Sequence, residues 1–307
     1  MLGQSEAPVL QGSHSTTPDA VLRRLEWRVL RRLDGRIQGD YRTLLHGSGI
    51  DFAGTREYES GDDVRHIDWN LTARMDTPWV RTYHEDRELT AWLLLDRSAS
   101  MTFGPIERPK GFVLTELAMA LARLLSRGGN LVGAILYNNT VERTIPPRTG
   151  RNQVLYLTRE LLRPPEPTST STNLAELIVA GAQTIKRRSL VVVLSDFISV
   201  PGWERPLSTL SQRHEVVAIR LFDPRERDLP DAGWIVVEDA ETGELLSVDT
   251  SDQEFRRRFV ECADERDRAT LAAARHAQVD LYPVSTEDDL VSALVRIVEL
   301  RRKRRLR

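Results

Sequence analysis

A single cysteine, Cys262, stands among 307 residues. One thiol builds neither a disulfide framework nor a cysteine-based zinc site, and so little cysteine fits a reducing compartment. Long apolar runs are missing too. The longest, such as Ala91–Leu95 and Leu190–Leu194, fall far short of the ~20 residues a bilayer-crossing helix needs. The first 20 residues, MLGQSEAPVLQGSHSTTPDA, have no basic start followed by an apolar stretch. They read as a disordered lead-in rather than a secretory signal, and the expected location is the cytoplasm. Neither sign of charge dominates: 43 basic against 45 acidic residues give a net charge of −2, so nothing marks the chain as a nucleic-acid binder. Three catalytic signatures are also absent. There is no G-x-x-x-x-G-K-[ST] phosphate loop and no G-x-S-x-G elbow. His84-Glu85-Asp86-Arg87-Glu88 starts like a zinc-protease helix but lacks the second histidine. ATP hydrolysis, serine hydrolysis and zinc proteolysis are therefore not expected of this chain.

What is present is an ordinary globular composition, 40% hydrophobic and 29% charged, in a chain long enough to bury a sizeable core. Leu22, Leu25, Val29 and Leu33 recur at helical spacing and predict a first helix over 18–33, ended by Gly35. Residues 36–85 are poorly periodic and read as an irregular accessory layer, with a strand at Trp79–His84. Beyond residue 88 the pattern changes. Ala91–Leu95 and Leu190–Leu194 are continuous apolar runs of strand length, as expected of strands covered on both faces, and Leu131–Tyr137 and Glu215–Phe222 read as further strands. Helical stretches alternate with them at Lys110–Arg127, Arg151–Leu162, Asn173–Lys186 and Trp203–Gln212. Val141–Ile145 follows the Asn138-Asn139 turn as an antiparallel edge strand. Trp234–Glu238 and Leu245–Val248 flank Glu241-Thr242-Gly243 as an inserted hairpin, and Gln253–His276, Val279–Pro283 and Asp288–Arg302 complete the pattern as helix, strand and helix. The fold class is α/β, a doubly wound and mainly parallel sheet.

In open α/β sheets ligands sit beyond the C-terminal strand ends, at the point where strand order reverses. After the first apolar strand comes Asp96-Arg97-Ser98-Ala99-Ser100-Met101, a D-x-S-x-S pattern, and after the Leu190 strand comes Ser195-Asp196-Phe197. Between them, at a helix start, lies Ser169-Thr170-Ser171-Thr172-Asn173-Leu174. Strand alternation places Asp96, Ser98 and Ser100 on one side of the turn. Two hydroxyls with few carboxylates suit a hard cation such as magnesium, and leave it wanting one more anionic ligand.

D-x-S-x-S, a later Thr and a later Asp, each after a sheet strand, resemble the metal-ion-dependent adhesion site of von Willebrand factor A domains. By that resemblance Asp96, Ser98, Ser100 and Thr172 contact Mg2+ (or Mn2+) directly or through water, and Asp196 acts through water. Ser171 and Thr170 compete with Thr172 for its place, and Thr172 or Asn173 could equally cap the helix, with Glu176 at capping-box distance from Asn173.

Upstream, Arg56-Glu57-Tyr58, Gly61-Asp62-Asp63-Val64-Arg65-His66-Ile67-Asp68-Trp69, Ala73-Arg74 and Val80-Arg81 resemble the bacterial family called domain of unknown function 58, over roughly residues 36–220. The resemblance implies a MoxR-type AAA+ ATPase, or its client, as partner. The chain then divides into a lead-in (1–17), an N-terminal helix and accessory segment (18–88), a von Willebrand A-like domain (89–300) and a basic tail (301–307).

Asp62, Asp63, His66 and Asp68 form a tempting metal or nuclease cluster. They lack strand-end placement and read instead as a turn paired to nearby arginines. Arg56, Arg65, Arg74 and Arg81 are taken as ion-paired scaffold, and the basic tail as a solvated helix end. The expected function is non-enzymatic: a metal-dependent module binding a protein that offers an Asp or Glu to the ion. Two alternatives stand beside it. One is a magnesium-dependent phosphohydrolase of haloacid dehalogenase-like type, which needs D-x-D where this chain has Ser98. The other is a structural scaffold with an empty site.

Overall fold

The computed structural model describes residues 52–59, 62, 64, 67–75, 77–83, 89–127, 129–166, 171–240 and 242–305. The expected first helix and the 1–17 lead-in lie outside these residues. So do Gly61, Asp63, Arg65 and His66 of the upstream motif.

The central sheet has six strands in the order β10-β7-β6-β3-β4-β5. They are β3 (Thr90–Asp96), β4 (Leu131–Asn138), β5 (Thr140–Arg148), β6 (Leu190–Ser195), β7 (Glu215–Phe222) and β10 (Asp280–Ser285). All neighbours run parallel except β4 and β5, which form the antiparallel edge expected from Asn138-Asn139. Two two-stranded ribbons lie apart from it: β1 (Phe52–Glu57) with β2 (Trp79–Tyr83), and β8 (Trp234–Glu238) with β9 (Leu245–Asp249).

Period-two alternation sends the solidly apolar strands into two separate cores. From β3, Leu93 and Leu95 face one core, built with α2 (Lys110–Arg127), α3 (Arg151–Leu161) and α7 (Leu290–Arg305). Trp92 and Leu94 face the other, with α4 (Leu174–Thr184), α5 (Glu204–Arg213) and residues at the end of α6 (Gln253–His276). Helices on both faces of a mainly parallel sheet give the doubly wound α/β class that the strand pattern implies. The chain winds outward from β3 through β4 and β5, then returns to β6 on the other side of β3 and winds away through β7 and β10. The order therefore reverses between β3 and β6, the position beyond which open α/β sheets bind their ligands.

The accessory segment is more regular than its sequence implies. Besides the β1–β2 ribbon it holds a short helix, α1 (Trp69–Thr72), and a bridge from Ile67 to Val80. Asp68 caps α1, accepting from the Asn70 and Leu71 amides at 3.1 Å each, and Asp62 pairs with Arg56 at 2.5 Å. The described part of the aspartate-rich stretch is thus spent on local structure. The last helix starts at Leu290 rather than Asp288, because Asp288 and Asp289 turn their carboxylates onto the Ser285 and Ser292 amides. It also continues to Arg305, so part of the basic tail belongs to the fold: Arg301 is buried and pairs with Glu215.

Gly133 lies at a register shift between β4 and β5. A Cβ there would come within 2.9 Å of the Ile145 carbonyl and 3.0 Å of the Trp92 ring. Gly133→Ala is expected to cost about 1–3 kcal/mol, since neither neighbour can withdraw without disturbing the sheet. Urea unfolding of the variant checks this, and wild-type stability would contradict so close an approach.

Candidate metal centre

Asp96 is the last residue of β3 and is fully buried. Its Oδ1 accepts from the Ser98 amide at 3.0 Å, closing a tight turn, and its Oδ2 accepts from the Ser195 hydroxyl at 2.6 Å. Ser195 ends β6, so this bond ties the two strands together at the point where their order reverses. After Asp96 the chain leaves the strand and forms a 3-10 helix, Ala99–Thr102, with Ser98 at its N-cap position. The two serines therefore meet through this turn rather than through strand alternation. Ser98 Oγ and Ser100 Oγ are 3.2 Å apart.

Asp196 follows β6 directly and is buried. Its Oδ1 accepts from the Ile198 amide at 2.9 Å, and its Oδ2 accepts from Lys110 Nζ at 2.6 Å. Between these bonds stands Phe197, a buried residue at φ 59°. That left-handed conformation is strained for a bulky side chain. Phe197 is held there from two sides. Its amide donates to Ser195 Oγ at 2.9 Å, and its ring packs edge-on against Trp203 with centroids 5.2 Å apart.

Thr172 is 1% exposed while Ser171 faces solvent. Burial thus selects Thr172 over Ser171 as the inward-facing hydroxyl, and Thr170 lies outside the described residues. The Thr172 carbonyl accepts from the Val200 amide and from Ser199 Oγ, which seats it against the loop that carries Asp196. The capping reading takes a different form. Asn173 occupies the N-cap position of α4 without a side-chain cap bond. Instead the Leu174 amide donates to Ser199 Oγ at 2.8 Å, and Asn173 Nδ2 donates to Glu176 Oε1 at 3.1 Å. Tyr137, at the end of β4, donates from its hydroxyl to the Asn173 carbonyl at 2.8 Å and fixes the same turn.

The electrostatics are uneven. Burial, reinforced by the charge of Asp196, pushes the Asp96 carboxyl up to about 6, against the hydrogen bonds from Ser195 and Ser98. Lys110 is fully buried, which lowers its pKa, but the charges of Asp196 and Glu226 outweigh that and raise it overall. Among the described residues no group of three or more His, Cys, Asp or Glu could hold a metal. The donors here are two carboxylates with serine and threonine hydroxyls. An all-oxygen set of this kind fits a hard cation that keeps water, and a cation beside Asp96 would relieve its uncompensated charge.

Two participants escape the sequence reading. Ser195 carries the bond that joins Asp96 to β6, and its signal was its place just before Asp196 at a strand end. Lys110 carries the charge on Asp196. Its signal was subtler: a lysine opens an apolar helix, at the positive end of the helix dipole where a cation is disfavoured.

The chain matches the family described as "Protein of unknown function DUF58" over residues 54–270. It is similar to "Uncharacterized protein Rv1480" of Mycobacterium tuberculosis, 37% identical over 285 residues that cover 92% of this chain and 90% of that protein. "Uncharacterized protein MAV169" of Mycobacterium avium is 34% identical over 160 residues, 52% of this chain and 94% of that one. Among solved structures, BatB from Bacteroides thetaiotaomicron aligns with 70% of this chain and 99% of its own, at 14% identity and a TM-score of 0.48. The SpRpn10 VWA domain aligns with 68% and 94%, at 13% identity and a TM-score of 0.38.

Proposed function

The chain belongs to the DUF58 family, and from that premise we propose that it is a divalent-metal-dependent protein-binding module rather than an enzyme. Asp96, Ser98, Ser100 and Thr172 hold Mg2+ or Mn2+, with Asp196 acting through water. The observation that carries this reading is Asp96. It is a buried carboxylate at the strand-order reversal, its pKa raised by burial, with two serine hydroxyls 3.2 Å apart in the same turn. When bound, the ion supplies an electrophilic position that takes a carboxylate oxygen from a partner.

The chain's own residues do the rest. The Ser195 hydroxyl and the Ser98 amide orient Asp96. Phe197, locked by Trp203, fixes the backbone beside Asp196. Phe103 and Ile106 expose apolar side chains on the loop between the 3-10 turn and α2, which suits a partner whose acidic residue is flanked by apolar ones. The β8–β9 ribbon, inserted after β7, exposes Trp234, Val236, Leu245 and Leu246 as a second contact surface.

The partner in this reading is a MoxR-type AAA+ ATPase or a client that it remodels, and the module works in assembly or remodelling. Nucleic acid is not among the ligands. Among the described residues no helix is long and apolar enough to cross a membrane. The phosphohydrolase alternative lacks support: two residues after Asp96 stands Ser98, whose hydroxyl meets Ser100 and offers no carboxylic acid for proton transfer.

Asp96→Ala is expected to weaken capture of a MoxR-type ATPase in excess magnesium by about tenfold, or about 1.4 kcal/mol. Pull-down or surface binding of the purified pair checks this, and undiminished capture would remove the metal from the mechanism.

A further inference from the structure

Lys110 is an unusual residue to bury. Its side chain is fully enclosed, at the first residue of an 18-residue helix whose dipole opposes a cation there. Two carboxylates offset that cost. Nζ donates to Asp196 Oδ2 at 2.6 Å and to Glu226 Oε1, and lies 5.8 Å from the centre of the Phe103 ring. Glu226 is in turn fixed by the short helix Pro224–Glu226 after β7, where it accepts from the Asp223 amide at 3.2 Å.

The two carboxylates of the candidate metal centre are consequently unequal. Among the described residues the donors to Asp96 are neutral, the Ser98 amide and the hydroxyls of Ser195 and Ser98. Asp196 has both oxygens engaged from within the protein, one by the Ile198 amide and the other by an ammonium. A carboxylate held on both oxygens, one of them by an ammonium, is a weak direct ligand, and donation through a bridging water is what it retains.

That inequality matters for the choice of ion. Calcium takes six to eight oxygen ligands and favours carboxylates bound directly, often through both oxygens, whereas magnesium keeps several waters and needs only one or two carboxylates. We propose that Lys110 sets the ion preference of this site: by holding Asp196 Oδ2 it keeps that carboxylate out of direct ligation and favours magnesium or manganese over calcium. The inference rests on the metal-centre reading given above. Lys110 acts through Asp196, so it is a positioning residue.

Calorimetric titration of magnesium and of calcium into the full chain tests it, using wild type, Lys110→Met, Glu226→Gln and the double variant Lys110→Met/Glu226→Gln. The double variant removes the buried lysine charge together with the charge of its partner Glu226, so it serves where the single lysine variant does not fold. Both variants lacking Lys110 are expected to gain calcium affinity relative to magnesium by about tenfold, or about 1.4 kcal/mol. Glu226→Gln, which leaves Lys110 on Asp196, keeps the wild-type ratio. A purely structural lysine would weaken both ions together and leave the ratio where it was. A wild-type protein that prefers magnesium, with the same ratio in both lysine variants, overturns the role of Lys110 and leaves the metal centre standing. A wild-type protein that binds neither ion overturns the metal centre, and the role of Lys110 with it.

Discussion

Asp96→Asn is expected to make the metal-free protein more stable, by about 3 kcal/mol near neutral pH. The rise of the Asp96 carboxyl from its ordinary 3.8 to about 6 means that the folded state disfavours the charged form by about that amount. The unfolded chain releases this proton near pH 4 and the folded chain near pH 6. Between those values the folded state binds more protons, so stability falls as pH rises through the window, and above it the full cost is present. Asparagine carries no such cost and preserves the local bonds. Its Oδ1 still accepts from the Ser98 amide, and its Nδ2 can donate to Ser195 Oγ. Urea unfolding in EDTA should show the variant ahead of wild type at pH 7.5 and the gap closing toward pH 4. Magnesium should narrow the gap by stabilising only the wild type. A variant less stable than wild type in EDTA at both pH values would contradict the account of a buried, uncompensated charge.

Trp203→Ala is expected to cost about 3–5 kcal/mol, the range for truncating a buried aromatic residue, and to abolish any stabilisation by magnesium. Trp203 is 5% exposed and sits just before α5, in the core that α4 and α5 form against the sheet. Its ring is the wall that holds Phe197 at φ 59°, one residue beyond Asp196. With the wall gone, Phe197 can relax out of its strained conformation, and the loop that places Asp196 moves with it. The loss should therefore appear twice, in the urea midpoint and in the shift of that midpoint by magnesium. A destabilised variant that keeps the full magnesium response would separate Trp203 from the site.

Sequence revealed most where burial was complete. The strands β3 and β6 sit inside the sheet, so their apolar runs are unbroken and their ends mark Asp96 and Asp196. The β8–β9 hairpin was legible from its turn residues. β1 was not, because Phe52–Glu57 pairs only with β2 in a two-stranded ribbon and carries glycine and charge in place of an apolar pattern. The bond from Ser195 to Asp96 was equally hidden, since it spans 99 positions of chain and depends on β3 and β6 lying side by side. Lys110 was hidden for the same reason: its partners stand 86 and 116 positions away. The candidate hydroxyls could be named from local pattern, whereas the charges around them are set by contacts between distant strand ends.

Calorimetric titration of magnesium and manganese into the purified protein, beside Asp96→Ala, tests the central claim most directly. The account predicts saturable binding of one ion to the wild type and none to the variant. Equal binding by both proteins, or none by the wild type, would contradict it.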